Sequence, residues 1–334
     1  MTDPFELVRR LVAVESPTGA EGPATALLAM HLRELGYRVE LQDVSAGREN
    51  IYAWREPPVL VFSTHLDTVP PYIPLREDAD FIHGRGSCDA KGLAAAMVTA
   101  AERLAALGER RIGLLFVVGE ENGSDGAQAA ARLAPKGRFL INGEPTDNLL
   151  TIGQKGALRV DLTTAGRAAH SAYPAEGDSA LLPLLDALER IRALPLPVDP
   201  MLGPSTLNIG LVRGGVAPNV IPPEATAQLL IRTVGPTDEL KAEIARVAGP
   251  RVSVRFAVEI PAYKGSAPPG WDSTVVSFAS DLPFLLPWGR CFQMGPGSIR
   301  VAHTAEERIA KAEFLEGVNR YVALATDLLA AGAA

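Results

Sequence analysis

Residues 111–142, RIGLLFVVGEENGSDGAQAAARLAPKGRFLIN, read as strand, helix, strand, and that order decides the fold. Arg111–Val118 is a short unbroken apolar run, Ser124–Leu133 has helical composition, and Arg138–Asn142 turns apolar again. Runs of this length that are apolar on both faces belong to buried strands, and strands alternating with helices belong to a mostly parallel sheet with covering helices. Working toward the N-terminus, Lys91–Leu107 reads as another helix and Val59–Ser63 as another strand. The first 36 residues read as two helices, the second from about Glu21 to Leu35, with Leu27, Leu28, Leu32 and Leu35 at helical spacing and Gly36 as its stop. The expected class is therefore α/β, in which ligands sit beyond the carboxyl ends of the strands.

Toward the C-terminus the order changes. Strand (Ala157–Thr164), helix (Asp178–Ala193), strands (Thr206–Val212 and Ala225–Thr233), helix (Thr237–Val247) and strand (Val252–Glu259) spell βαββαβ, a ferredoxin-like unit complete in itself. The Gly/Pro-rich stretch AYKGSAPPGW at 262–271 follows, and a long helix is expected from about Ala312 to Leu329. The expected organisation is a discontinuous α/β domain, 1–155 with 262–334, carrying an inserted domain at 156–261.

Composition narrows the function. A chain of 334 residues with 47% hydrophobic and 21% charged residues is an ordinary globular protein able to bury two cores. Its apolar runs are too short to span a bilayer, so no membrane is expected as a partner. The N-terminal segment offers neither an apolar h-region nor a small-residue cleavage site, and only two cysteines occur, which together suit the cytoplasm. A formal charge of −7 without a Lys/Arg cluster argues against nucleic acid and for a small-molecule partner.

Of the five histidines, His65 in STHLDTVP and His303 in VAHTAEERI stand where segment ends meet a shared surface. Carboxylates follow the strands in the same way: Asp67, Asp89 in GRGSCDAKG, the pair Glu120 and Glu121, and Glu144. Mixed imidazole and carboxylate donors suit divalent ions, and a set too large for one tetrahedral zinc suits a pair bridged by a carboxylate and a water. Asp67, two residues beyond His65, lies on the same side of an extended segment and can fix the imidazole's tautomer. Glu120 faces away from Glu121 if the segment is extended, which leaves it free for proton transfer. Singly, each of these residues also reads as a satisfied core histidine or a solvated acid; His31 and His83 are left as ordinary surface or turn residues, and Cys88 as packing. The glycines of GRG lack a dinucleotide fingerprint, and no G-x-S-x-G elbow supplies a serine nucleophile.

Taken in order, HLDTVP, GRGxxDxKG, the GEE pair, NGEPT, GRAAHSAYP and GPGSIxxAH resemble the zinc peptidase family of acetylornithine deacetylase, succinyl-diaminopimelate desuccinylase and aminoacylase, over nearly the whole chain. The resemblance implies a metal-dependent hydrolase of linear amide bonds whose inserted domain is a lid that also forms a homodimer. One metal ion would be held by His65, Asp89 and Glu144 and a second by Asp89, Glu121 and His303, both zinc, with cobalt as the alternative. Glu120 would be general base and acid, and His170, reaching the scissile carbonyl from the partner subunit, would stabilise the oxyanion. Asn219 in GGVAPNVIP and Arg232 in LLIRT match substrate-binding positions, the arginine suiting an α-carboxylate. Gly295 and Gly297 of GPGSI would bring backbone close to the ligand. The peptide bond after Asp89 would be cis. The chain departs from the family pattern at Gly119, where an acidic or hydroxyl residue often stands. Within the family the stretch STVVSFASDLPF points to the acetylornithine-deacetylase-like branch, removing an acyl group from a small N-acyl amino acid. A di- or tripeptidase, or a hydrolase freeing lysine or ornithine from a carrier protein, would share every ligand, and a metal-binding dimer without turnover is the reading from another class.

Overall fold

A computed structural model describes residues 3–133 and 137–331. The chain forms two compact units, one of Met1–Ile152, Lys264–Thr274 and Ser280–Ala334, the other of Gly153–Tyr263 and Val275–Ala279. Val275–Ala279 groups with the middle unit, whereas the sequence reading leaves it with the C-terminal segment.

The first unit is built on a six-stranded sheet in the order Arg38–Ser45, Arg48–Trp54, Ile112–Val117, Leu60–His65, Phe139–Asn142, Arg290–Gln293. Leu60–His65 runs parallel to both its neighbours, and Arg290–Gln293 runs parallel to Phe139–Asn142. The two strands at the other edge form an antiparallel hairpin that also joins Ile112–Val117 antiparallel, so the sheet is mixed. That hairpin is absent from the sequence reading because its outer strand, RVELQDVS, is exposed or half-buried at every position and carries little apolar alternation. The helix Lys91–Ala106 buries Leu93, Ala95, Met97, Ala100 and Leu104 on all sides and shares one core with the strands and with Lys311–Ala331. Its run of alanines suits close packing in that core.

The middle unit is an antiparallel sheet in the order Thr206–Gly214, Glu224–Thr233, Gly156–Ala165, Ser253–Ile260, with helices Leu181–Arg192 and Asp238–Ala248 between strands as expected. Alternate residues Leu158, Val160, Leu162 and Ala227, Leu229, Ile231 pack against Leu184, Leu188, Ile191 and Ile244, forming a separate core. Among the described residues no helix is long and apolar enough to cross a membrane.

Candidate active site

Parallel pairing brings the chemistry together. His65 pairs with Val117 and Ser63 with Asn142, so three strands end at the same edge, just before the Glu120–Glu121 pair and Glu144. Gln293 pairs with Asn142 and delivers the 295–298 loop to that edge as well. Asp89 sits in the loop immediately before the helix Lys91–Ala106, and the peptide bond joining it to Ala90 is cis.

The two oxygens of Asp89 face different histidines: Oδ1 lies 3.0 Å from His65 Nε2 and Oδ2 3.4 Å from His303 Nε2. His303, in a left-handed turn at φ 62°, also lies 3.0 Å from Glu121 Oε1. Donor atoms of His65, Asp89 and Glu121 fall within 4.8 Å of one another. His65 is fully buried and its Nδ1 lies 3.0 Å from the carbonyl oxygen of Asp67, so Nδ1–H donates there, while Nε2 is the ring atom turned to Asp89.

Asp67 does more than orient His65. Its carboxylate, 3.4 Å from His65 Nδ1, accepts the Thr18 hydroxyl at 2.7 Å and the backbone N–H groups of Glu120 and Glu121, each at 3.1 Å. It therefore anchors the segment that carries the acid pair. That segment is not extended, as the alternation argument assumed. It is a 3₁₀ turn, Glu120–Asn122, between Gly119 at φ 77° and Gly123 at φ 105°. A Cβ at Gly119 would lie 1.9 Å from Asp125 Oδ1 and 2.5 Å from Arg48 Nη2. Arg48, ion-paired to Glu21 and Asp125, and Asp125 itself fill the space a side chain would need, which is the physical reason for a glycine here.

Electrostatically the site suits cations. Burial, then the neighbouring Glu144, pushes the partly exposed Glu120 well above the usual carboxylate range. Burial also raises Glu144 and Glu121. Burial opposes the charge of Asp89, but hydrogen bonds from His303 and His65 outweigh it and hold the carboxyl low. The His303 imidazole is pushed up to about 10, chiefly by its contacts with Asp89 and Glu121. Acids crowded together without lysine or arginine among these contacts, beside two imidazoles, form a donor set that fits divalent ions. Ligation requires the His303 ring, whose charged form its acidic neighbours favour up to about 10, to give up a proton. Metal loading is therefore expected to release protons, and affinity to fall as pH falls. Titration calorimetry in buffers of different ionisation enthalpy measures this, and a heat that does not depend on the buffer would contradict it.

In the middle unit His170 pairs across a bridge with Val220, and the Ser171 N–H donates to the Asn219 carbonyl at 3.0 Å, so His170 and Asn219 share one short exposed ribbon. The Ala172 N–H donates to His170 Nδ1 at 3.1 Å, which places the proton of the neutral ring on Nε2 and leaves that N–H pointing outward as a donor. Arg232 lies elsewhere, near the far end of Glu224–Thr233, opposite Thr206 and Ala157. Glu224 pairs with Ala165 at the strand end that leads toward the ribbon, and Arg232, eight residues on, stands about 27 Å from Glu224 at ~3.4 Å per residue.

Both loop glycines are needed for packing against protein. A Cβ at Gly295 would lie 2.7 Å from the Glu144 carbonyl and from Tyr321 Oη, and one at Gly297 2.6 Å from Cys88 Sγ. They let the 295–298 loop press on the segments that carry Glu144 and Asp89. Cys88 is buried, and burial raises its thiol well above the ordinary value, as a packing residue requires. Three residues with a part in the site escaped the sequence reading. Thr18 anchors Asp67; Glu307 accepts backbone N–H groups of the Asp89 loop; and Asp281, fully buried, is pushed up to about 7 by burial near Glu120. Thr18 and Glu307 act on segments remote in sequence, and nothing local marks them.

A family model described as "Peptidase family M20/M25/M40" matches residues 61–327. A "Peptidase M20 domain-containing protein" of Schizosaccharomyces pombe is 37% identical over 330 residues, 95% of this chain and 82% of that protein. A "Probable carboxypeptidase" of Aspergillus fumigatus is 38% identical over 368 residues, 94% of this chain and 84% of that protein. Among solved structures, a tripeptidase from Staphylococcus aureus superposes with a TM-score of 0.81 at 20% identity, covering 97% of each chain. An M20 family metallo-carboxypeptidase from Sulfolobus solfataricus superposes at 0.79 with 15% identity, covering 96% of this chain and 98% of that one, and these two likenesses speak for the fold. With the family model spanning most of its length and relatives above a third identical, this chain belongs to peptidase family M20/M25/M40, whose metallopeptidases hydrolyse amide bonds.

Proposed function

We propose that the protein cleaves the amide bond preceding a small amino acid with a free α-carboxylate, using two divalent ions, zinc or alternatively cobalt. His65, Asp89 and Glu144 would hold one ion and Asp89, Glu121 and His303 the other. The observation that carries this is Asp89, which turns one oxygen to each histidine as a bridging carboxylate must. When bound, the ions supply Lewis acidity that polarises the carbonyl and acidifies water. Glu120, held above its ordinary range by burial, takes a proton as water oxygen bonds to the carbonyl carbon, then gives it to the departing amine nitrogen as the C–N bond breaks. The Nε2–H of His170 donates to the oxyanion, and Arg232 pairs with the α-carboxylate.

The layout of the middle unit supports a homodimer. Arg232 stands about 27 Å along the strand from Glu224, whose end of the sheet leads into the segments of His170 and Asn219, and a separation of that order favours the two groups reaching one small substrate from different copies. The exposed Leu182 and Leu185 on one helix, with Leu211 and Val212 on the edge strand, offer apolar surface for that contact.

N-acetylornithine and related N-acyl amino acids form one substrate group. The C-terminal residue of a short peptide forms the other and is favoured by the "Probable carboxypeptidase" name of relatives 38% identical. Release of acetate and of free amino acid from a panel of N-acetyl amino acids, dipeptides and tripeptides, with zinc or cobalt added, separates them. Turnover is expected only for substrates with a free α-carboxylate, and equal rates on their amides would remove Arg232 from its role.

A further inference from the structure

We infer that Glu307 is a positioning residue of the metal centre: a single buried carboxylate, four positions beyond His303, holds the backbone from which Asp89 projects and thereby locks two ligand-bearing segments in register. The inference rests on the dinuclear reading above. Glu307 Oε1 accepts the N–H groups of Gly86 at 2.8 Å, Cys88 at 3.2 Å and Asp89 at 3.1 Å, while Oε2 takes the guanidinium of buried Arg85. The Gly84 N–H donates to the Glu307 carbonyl at 3.1 Å, and the next residues, Arg308–Ala310, pair antiparallel with Phe81–His83. The 81–89 segment is thus attached to the 303–310 segment by strand pairing at one end and by one carboxylate oxygen at the other.

The chemistry explains why an acid stands there. Three N–H groups converging on one oxygen form charge-assisted bonds stronger than a neutral acceptor would make, and they fix the Asp89 backbone itself. A ligand whose main chain is held this way presents its carboxylate with little freedom, and metal sites tolerate deviations of only about 0.2 Å in ligand distance. A buried ion pair such as Arg85–Glu307 is a poor source of net stability, so stability alone does not account for a charged residue at this point. A neutral side chain of the same size could fill the space but could not gather the loop's donors together with Arg85.

The test measures metal affinity as well as turnover. Wild type, E307A and E307Q are compared by circular dichroism, thermal melting, zinc competition against a chromophoric chelator, and kcat and KM. Folded E307A is expected to bind zinc about 10–100-fold more weakly and to lose kcat more than KM. E307Q should lose less, since its amide oxygen still accepts the backbone donors while its NH₂ group opposes Arg85. A folded E307A with wild-type zinc affinity overturns the inference, even if its melting temperature falls. If E307A does not fold, E307Q decides by the same measurement, weaker zinc binding supporting the inference and unchanged affinity overturning it. Wild type that binds no divalent ion under these conditions removes the dinuclear reading itself, and the inference with it.

Discussion

Glu120→Gln is expected to retain both ions and to lose turnover by a factor on the order of 10² or more, because it removes a proton acceptor while leaving the ligand atoms in place. The Glu120 side chain leaves a 3₁₀ turn whose N–H groups Asp67 anchors, so an isosteric amide has no reason to disturb the turn. Burial and the neighbouring Glu144 together raise the Glu120 carboxyl well above the usual carboxylate range, as suits a group that exchanges a proton during the reaction. Asp89→Ala provides the contrast: it deletes the carboxylate facing both His65 and His303, so metal content itself should fall. Elemental analysis beside steady-state rates checks both. A Glu120→Gln chain of full metal content and near-normal rate would sink the assignment, as would an Asp89→Ala chain that keeps two tightly held ions.

Mixing chains of His170→Ala with chains of Glu120→Gln is expected to restore activity that neither has alone. In a hybrid dimer one site has an intact Glu120 and receives His170 from the other copy, whereas the second site carries both defects, so recovery reaches at most about half of the wild-type rate. The strand layout motivates this expectation, because Arg232 stands about 27 Å along its strand from Glu224, the end that leads toward the His170 and Asn219 segments. An oxyanion donor is worth roughly 3 kcal/mol, so the recovered rate stands well clear of either parent. Verified hybrids without recovery would place the action of His170 within its own chain, or remove it from the chemistry.

Much of the fold was legible because its signals are local. The βαββαβ order could be read strand by strand, since antiparallel strands packed on one face alternate in a way that survives in the sequence, as Leu158, Val160 and Leu162 do. The central strands could be read because both faces are buried. The exposed hairpin at 38–54 could not, since an edge strand has little burial to write into its pattern.

The sequence by itself determined which donors exist, Asp89 and His303 among them, and that His65, Asp67, Glu120, Glu121 and Glu144 stand at or just past strand ends. Chemistry of that kind lies in side-chain identity, and parallel strands in register must deliver their carboxyl ends to one edge. Only the tertiary structure decided how the donors are held. That Asp89 turns its oxygens to different histidines, that Asp67 binds the Glu120–Glu121 turn instead of serving His65 alone, that Gly119 yields its space to Arg48, and that Glu307 gathers the Asp89 loop all depend on groups that meet across long sequence separations. Hydrogen bonds act over about 3 Å, and only the folded chain brings residues 18 and 67, or 89 and 307, that close.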